Sequence, residues 1–121
     1  MSLINFLIIL LNTLILVTGQ FLWKYGMMGK TLRLDLVSIT KILFSPFILS
    51  GLVLYGMATI LWLLILSRVP LSVAYPVQSI AYIIAVFGAY FMFHEPLSLT
   101  KIIGVIFIIL GVSLIGLSPN N

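Results

Sequence analysis

The chain has 121 residues, 63% of them hydrophobic and 7% charged, with a mean hydropathy of +1.35 and a formal net charge of +4. A soluble domain carries about 25% charged residues, so this chain cannot coat a water-facing surface. The absence of cysteine excludes disulfides, thiolate zinc sites and cysteine nucleophiles, and the six Lys and Arg are scattered rather than gathered into the patch that nucleic acid requires.

A bilayer core about 30 Å thick needs roughly 20 apolar residues per helix. The first such run extends from Leu3 to Trp23 and stops at Lys24. It is longer than a signal-peptide h-region and lacks a basic n-region and a small-x-small cleavage site, so it is expected to stay as a span. A mixed segment from Tyr25 to Pro46 follows. In it Leu32, Leu36, Ile39 and Leu43 form one stripe with Lys30, Arg33 and Lys41 beside it. That pattern fits a short amphipathic helix over 32–44 lying in the interface and equally an extension of the next helix.

The second span runs from Phe47 to Leu66, between Ser45-Pro46 and Arg68. The third runs from Val73 to Phe93, after Val69-Pro70-Leu71-Ser72, and the fourth from Ile102 to Leu117, between Lys101 and Ser118-Pro119-Asn120-Asn121. Each stop is a proline, a charge or a small polar cluster. The runs do not alternate as barrel strands must, so the expected fold is all-α and integral to the membrane, one domain over 1–121 with four transmembrane helices. The short connections Ser67–Ser72 and His94–Thr100 make consecutive helices antiparallel neighbours. Lys24, Lys30, Arg33, Lys41 and Lys101 fall on one side and Arg68 on the other. The positive-inside rule therefore places the longer connection in the cytoplasm and both termini outside.

A polar side chain at mid-membrane is costly, so its helix face turns toward protein or a wet cavity. At 100° per residue, Asn5, Asn12, Thr13, Gly19, Gln20 and Lys24 share an arc of about 140°, interrupted by Leu16. Tyr55, Thr59, Trp62 and Gly51 share about 80° of the second span, and Ser72, Tyr75, Gln78, Ser79 and Tyr82 about 120° of the third. The fourth offers only small residues, with Gly104 and Gly111 seven apart on one face and Gly116 beyond, a spacing that admits close helix approach. Pro76 removes a backbone donor early in the third span and is expected to bend it.

Two readings of the polar faces stay open, a shared substrate crevice or interhelical hydrogen bonding alone. Trp23 and Tyr25 read as interfacial belt residues, and His94 and Glu95 as structural groups at a helix end. No carboxylate pair, phosphate loop, metal-ligand spacing or nucleophile-base set lies at depth, so neither an enzyme nor a cofactor or metal is expected.

Four pieces in order carry a resemblance over nearly the whole chain. These are Thr18-Gly19-Gln20 with Trp23-Lys24-Tyr25-Gly26, Val69-Pro70-Leu71-Ser72-Val73-Ala74-Tyr75-Pro76, His94-Glu95-Pro96-Leu97-Ser98, and Gly104-Val105 with Leu110-Gly111-Val112. They resemble four-helix members of the drug/metabolite transporter superfamily, whose small multidrug resistance branch dimerises through the glycine-bearing fourth helix. That branch carries a Glu three residues before the glycine matching Gly19; here the position is Leu16, which cannot exchange a proton for a cation. Within the superfamily the pieces look most like the flippase subunits for aminoarabinose-linked undecaprenyl phosphate.

That resemblance implies a flippase of a lipid-linked sugar or similar amphipathic substrate in the bacterial inner membrane, built as an antiparallel dimer. Its site would draw on Asn12, Thr13, Gln20, Lys24, Tyr55, Thr59, Trp62, Tyr75, Gln78, Ser79 and Tyr82, with Lys24 pairing a lipid phosphate and Gly104 and Gly111 at the dimer interface. The one-sided charge distribution slightly favours a heterodimer with a paralogue over a homodimer. The other readings are a proton-coupled exporter of cations and a non-transporting scaffold subunit.

Overall fold

The computed structural model describes residues 2–117; the N-terminal amine and the expected Ser118–Asn121 terminator lie outside them. Helix α1 covers Leu3–Met27, α2 Leu36–Leu43, α3 Pro46–Leu66, α4 Leu71–Gln78, α5 Ile80–Phe93 and α6 Leu99–Gly116. Four stretches are long and apolar enough to cross a membrane: α1, α3, α4 with α5 as one unit, and α6. The 25 residues of α1 give it a length of about 37 Å, enough to reach past the hydrocarbon on one side.

Local chemistry sets the ends. Ser2 accepts from the Asn5 N–H at 3.2 Å, Asp35 from Ser38 N–H at 2.7 Å and Ser98 from Lys101 N–H at 3.2 Å, each capping a helix N-terminus. Pro46 opens α3 at its first turn, where its missing N–H costs nothing. The amphipathic segment forms a separate helix: α2 ends at Phe44, and Ser45 intervenes in extended conformation before α3. At the far end of α5 the chain turns through His94, which takes the left-handed conformation at φ 55°. Glu95 N–H then closes back on Ala89 O at 3.2 Å, satisfying a carbonyl of the last turn.

The third span is broken where Pro76 disturbs it, although the interruption falls three residues later, at Ser79. Proline has no N–H for the carbonyl one turn back, and the chain tightens in response. Ser79 N–H bonds Pro76 O at 3.0 Å and Tyr82 N–H bonds Ser79 O at 2.9 Å, both three-residue steps. The Ser79 hydroxyl also donates to Pro76 O.

Packing centres on α1 and α3, the most extensively matched pair. Buried residues recur on both at seven-residue intervals: Asn12, Gly19 and Gly26 on α1, and Gly51, Ala58 and Ile65 on α3. Such spacing keeps one seam of each helix facing the other, and small side chains let the backbones close in. At the end marked by the Ser67–Pro70 turn, Ile9, Ile65, Val69, Val73, Ala74 and Val77 form a dry cluster. Helix α6 packs only against α4 and α5, and Val105 is its one buried residue among those described.

Candidate functional site: a polar cleft between the first and third spans

Where α1 and the kinked third span diverge, a cleft of about 470 Å³ opens. Gln20, Tyr55, Tyr75, Gln78, Ser79 and Tyr82 supply its polar lining. Leu16, Val17, Ala81 and Ala85 supply an apolar wall, and Pro76 stands at its edge. Tyr75, Gln78, Ser79 and Tyr82 share one face of the third span and line this cavity on both sides of the break at Ser79.

A second pocket of about 330 Å³ shares Gln20, Tyr82 and Ala85 with the first. Lys24, Glu95 and Lys101 border this second pocket. The two form one groove that runs from hydroxyl and amide groups at mid-membrane to charged groups at the helix ends. Lys101 Nζ donates to Pro96 O at 2.8 Å. The Lys24 ammonium is exposed and has no partner among the described residues.

Hydrogen bonding within the cleft comes from both sides. Gln20 Nε2 donates to the Tyr55 hydroxyl, tying α1 to α3 at the cleft wall. Tyr55 is held in turn by the Trp23 indole, stacked on it at 4.5 Å between ring centres with 13° between planes. Trp23 Nε1 donates to Ile48 O at 3.0 Å. Trp23 is therefore a half-buried packing element between α1 and α3. Gly51 makes room for it, since a Cβ there would overlap the indole. Tyr75 and Tyr82 are 65% and 64% exposed, open for contact with a ligand or lipid. Tyr75 meets Trp62 edge-on at 6.3 Å.

The wide polar arc of α1 divides between two neighbours. Gln20 and Lys24 face the groove, whereas Asn12 and Thr13 are 0% and 1% exposed and lie outside its lining. Thr13 Oγ1 donates to Ile9 O at 2.8 Å, and both amide atoms of Asn12 are buried without a hydrogen-bond partner. Thr59 is exposed on α3 and turns its hydroxyl back to Tyr55 O at 2.8 Å, apart from the cleft. Trp62 touches the site only through Tyr75. On α6, Gly104 and Gly111 point away from the bundle, and a Cβ on either would meet nothing within 4 Å.

The lining residues that sequence reasoning missed are apolar ones, Val17, Ala81 and Ala85, together with Glu95 and Lys101 at the charged end. Their only signal is position. Ala81 and Ala85 sit one turn apart beside Gln78 and Tyr82, and a small residue there leaves the cavity open.

Four apolar spans with a cleft of mixed polar and apolar lining between them define a small multi-pass membrane protein. Comparison with known proteins narrows the class. The chain is 33% identical over 112 residues to the probable 4-amino-4-deoxy-L-arabinose-phosphoundecaprenol flippase subunit ArnE of Aeromonas salmonicida, covering 93% of this chain and 96% of that one. It is 34% identical over 110 residues to the protein of the same description from Escherichia fergusonii, covering 91% and 95%. A shorter alignment with the Enterobacter protein of that description reaches 48% over 66 residues, covering 54% of this chain and 62% of its relative. No family model matches the chain, and no solved structure gives a significant match. The chain belongs to the ArnE family of flippase subunits, multi-pass proteins of the bacterial inner membrane.

Proposed function

We propose that the chain is one subunit of a flippase that moves an undecaprenyl-phosphate-linked amino sugar across the inner membrane, holding the headgroup in the cleft between α1 and the third span. The carrying observation is the convergence of Gln20, Tyr55, Tyr75, Gln78, Ser79 and Tyr82 on one cavity. Amides and hydroxyls are the donors and acceptors a sugar needs, and replacing water around a sugar with such groups is what lowers the cost of carrying it through hydrocarbon. Lys24, unpartnered at the charged end of the groove, supports a role in pairing the lipid phosphate. The groove is open on one side, so the polyprenyl chain can stay in lipid while the headgroup travels.

Leu16 lines the cleft at the position where proton-coupled relatives of the superfamily carry an acid. This favours movement without proton exchange through that residue.

The relatives are described as subunits, and we infer a partner chain. Gly104 and Gly111 on the outward face of α6 are its proposed contact, and the one-sided charge distribution supports a paralogue inserted the other way round over a second copy. Tags at both ends of the chain test this: labelling from one side only is expected, and equal labelling from both sides overturns the heterodimer.

The transport reading is tested in proteoliposomes holding the assembled flippase. Gln20→Leu and Tyr75→Phe should cut headgroup translocation while insertion and assembly persist. Unchanged translocation with either, or loss of assembly with both, contradicts the reading and turns the chain into a scaffold.

A further inference from the structure

The connection between the first two spans holds another pocket, outside the groove. Lys30, Thr31, Arg33, Asp35, Ser38 and Lys41 border a space of about 590 Å³ there. The segment's own polar groups fix its shape. Asp35 Oδ1 accepts from Ser38 N–H at 2.7 Å, and Ser38 Oγ accepts from Arg33 N–H at 3.1 Å. The single carboxylate is thereby engaged with backbone, while the side chains of Lys30, Arg33 and Lys41 have no hydrogen bond or ion pair among the described residues. Three cations against one carboxylate leave the cavity with a net positive charge, which favours an anion.

The surroundings favour one kind of anion: Val37 lines the pocket itself, and further exposed apolar residues flank it along the chain. Leu34, Leu36, Val37 and Phe44 are 94%, 80%, 66% and 71% exposed, and α2 makes its only helix contact with α3. Water is a poor environment for so much apolar surface. The segment joins the same-side ends of two membrane helices, so it lies at the bilayer surface. There the apolar side chains enter the acyl boundary and the cations sit at the level of the headgroups. A free phosphate would need the cations alone, whereas a cationic pocket held at headgroup depth beside the acyl boundary is matched to a phosphate that carries hydrocarbon.

We propose that Lys30, Arg33 and Lys41 form a binding site for the phosphate of an anionic membrane lipid, distinct from the transport cleft. Arg33 offers paired donors suited to phosphate oxygens, and the two lysines contribute charge. Because this site shares no lining residue with the cleft, it stands whether or not the cleft carries a sugar.

Native mass spectrometry of the solubilised full-length protein, titrated with phosphatidylglycerol and with phosphatidylcholine, tests the proposal. The wild type should retain phosphatidylglycerol in preference. Arg33→Gln and Lys41→Gln should each weaken that retention about tenfold, the loss expected of one charge-assisted contact. Each keeps the other cations on this side, so insertion persists, and Arg68→Gln on the opposite side should change nothing. Equal retention of the two lipids by the wild type overturns the proposal, as does unchanged retention in both variants. Inorganic phosphate displacing the lipid at equal concentration would show a free-anion site and overturn the assignment to lipid.

Discussion

Helices α1 and α6 are both apolar and span-length, yet the chain treats them in opposite ways. Around α1 every small residue has a neighbour. Gly26 comes so near α3 that a Cβ would lie 2.8 Å from Phe47 Cβ, and at Gly19 it would lie 3.1 Å from the Tyr55 ring. Around Gly104 and Gly111 of α6 there is open space. In lipid, apolar side chains gain little by leaving one hydrocarbon for another, so close approach and polar contact decide which helices associate. The α1–α3 pair realises both within the chain, through the glycines and through Gln20 and Trp23. Helix α6 has a close-approach surface with open space around it, the face proposed above for a partner chain.

The largest expected effect separates these two kinds of glycine. Gly51→Val drives a side chain into the Trp23 indole, and overpacking of this type costs about 1–3 kcal/mol. Thermal unfolding in detergent should show a marked loss of stability, with Trp23 fluorescence altered; a wild-type melting temperature would contradict the close packing described for α1 and α3. The cleft sits next. Gln78→Leu removes a polar group from the lining while adding bulk, and about a tenfold fall in translocation is expected, the scale of one lost hydrogen bond to a charged or polar headgroup. Wild-type flux with Gln78→Leu would remove the third span from the site.

Gly104→Leu and Gly111→Leu provide the contrast to Gly51. Neither should shift the stability of the isolated chain by more than about 0.5 kcal/mol, as for a surface substitution. Both should reduce co-purification of the partner subunit. A destabilised chain with intact assembly would reverse the assignment of α6. The smallest effect is expected at Asn12. Its amide is buried with both atoms unpaired, so Asn12→Val should stabilise the α1–α3 seam by about 1 kcal/mol, the penalty of an unsatisfied group removed. A loss of stability would show that the amide finds a partner in the membrane.

Much of this was legible in the sequence because the punctuation is strong. Lys24, Ser45-Pro46, Arg68 to Pro70 and Lys101 bound the spans, and Pro76 announces the broken third helix. The cleft residues of that helix were legible too, since Tyr75, Gln78, Ser79 and Tyr82 fall on one narrow face with only one cavity to turn toward. Helix α1 was harder. An arc of about 140° is wide enough to face two neighbours, and nothing in the sequence says that Asn12 and Gly19 meet α3 while Gln20 and Lys24 meet the groove. The inward stacking of Trp23 on Tyr55 was hidden for a related reason. An aromatic near a span end has the same sequence signature whether it anchors at the interface or stacks inward, and the deciding residue, Gly51, lies on another helix.

The central claim, that the headgroup occupies the groove between α1 and the third span, is most directly tested by site-directed thiol labelling. The chain has no cysteine of its own, so an introduced thiol is the only one this chain contributes. Ala85→Cys, in the wall shared by both parts of the groove, should be protected from a small thiol reagent by the aminoarabinose-linked polyprenyl phosphate in the assembled flippase. Ile60→Cys, on the exposed face of α3, should react at the same rate with and without it. Protection at Ile60→Cys alone, or no protection at Ala85→Cys at saturating lipid, would contradict the account.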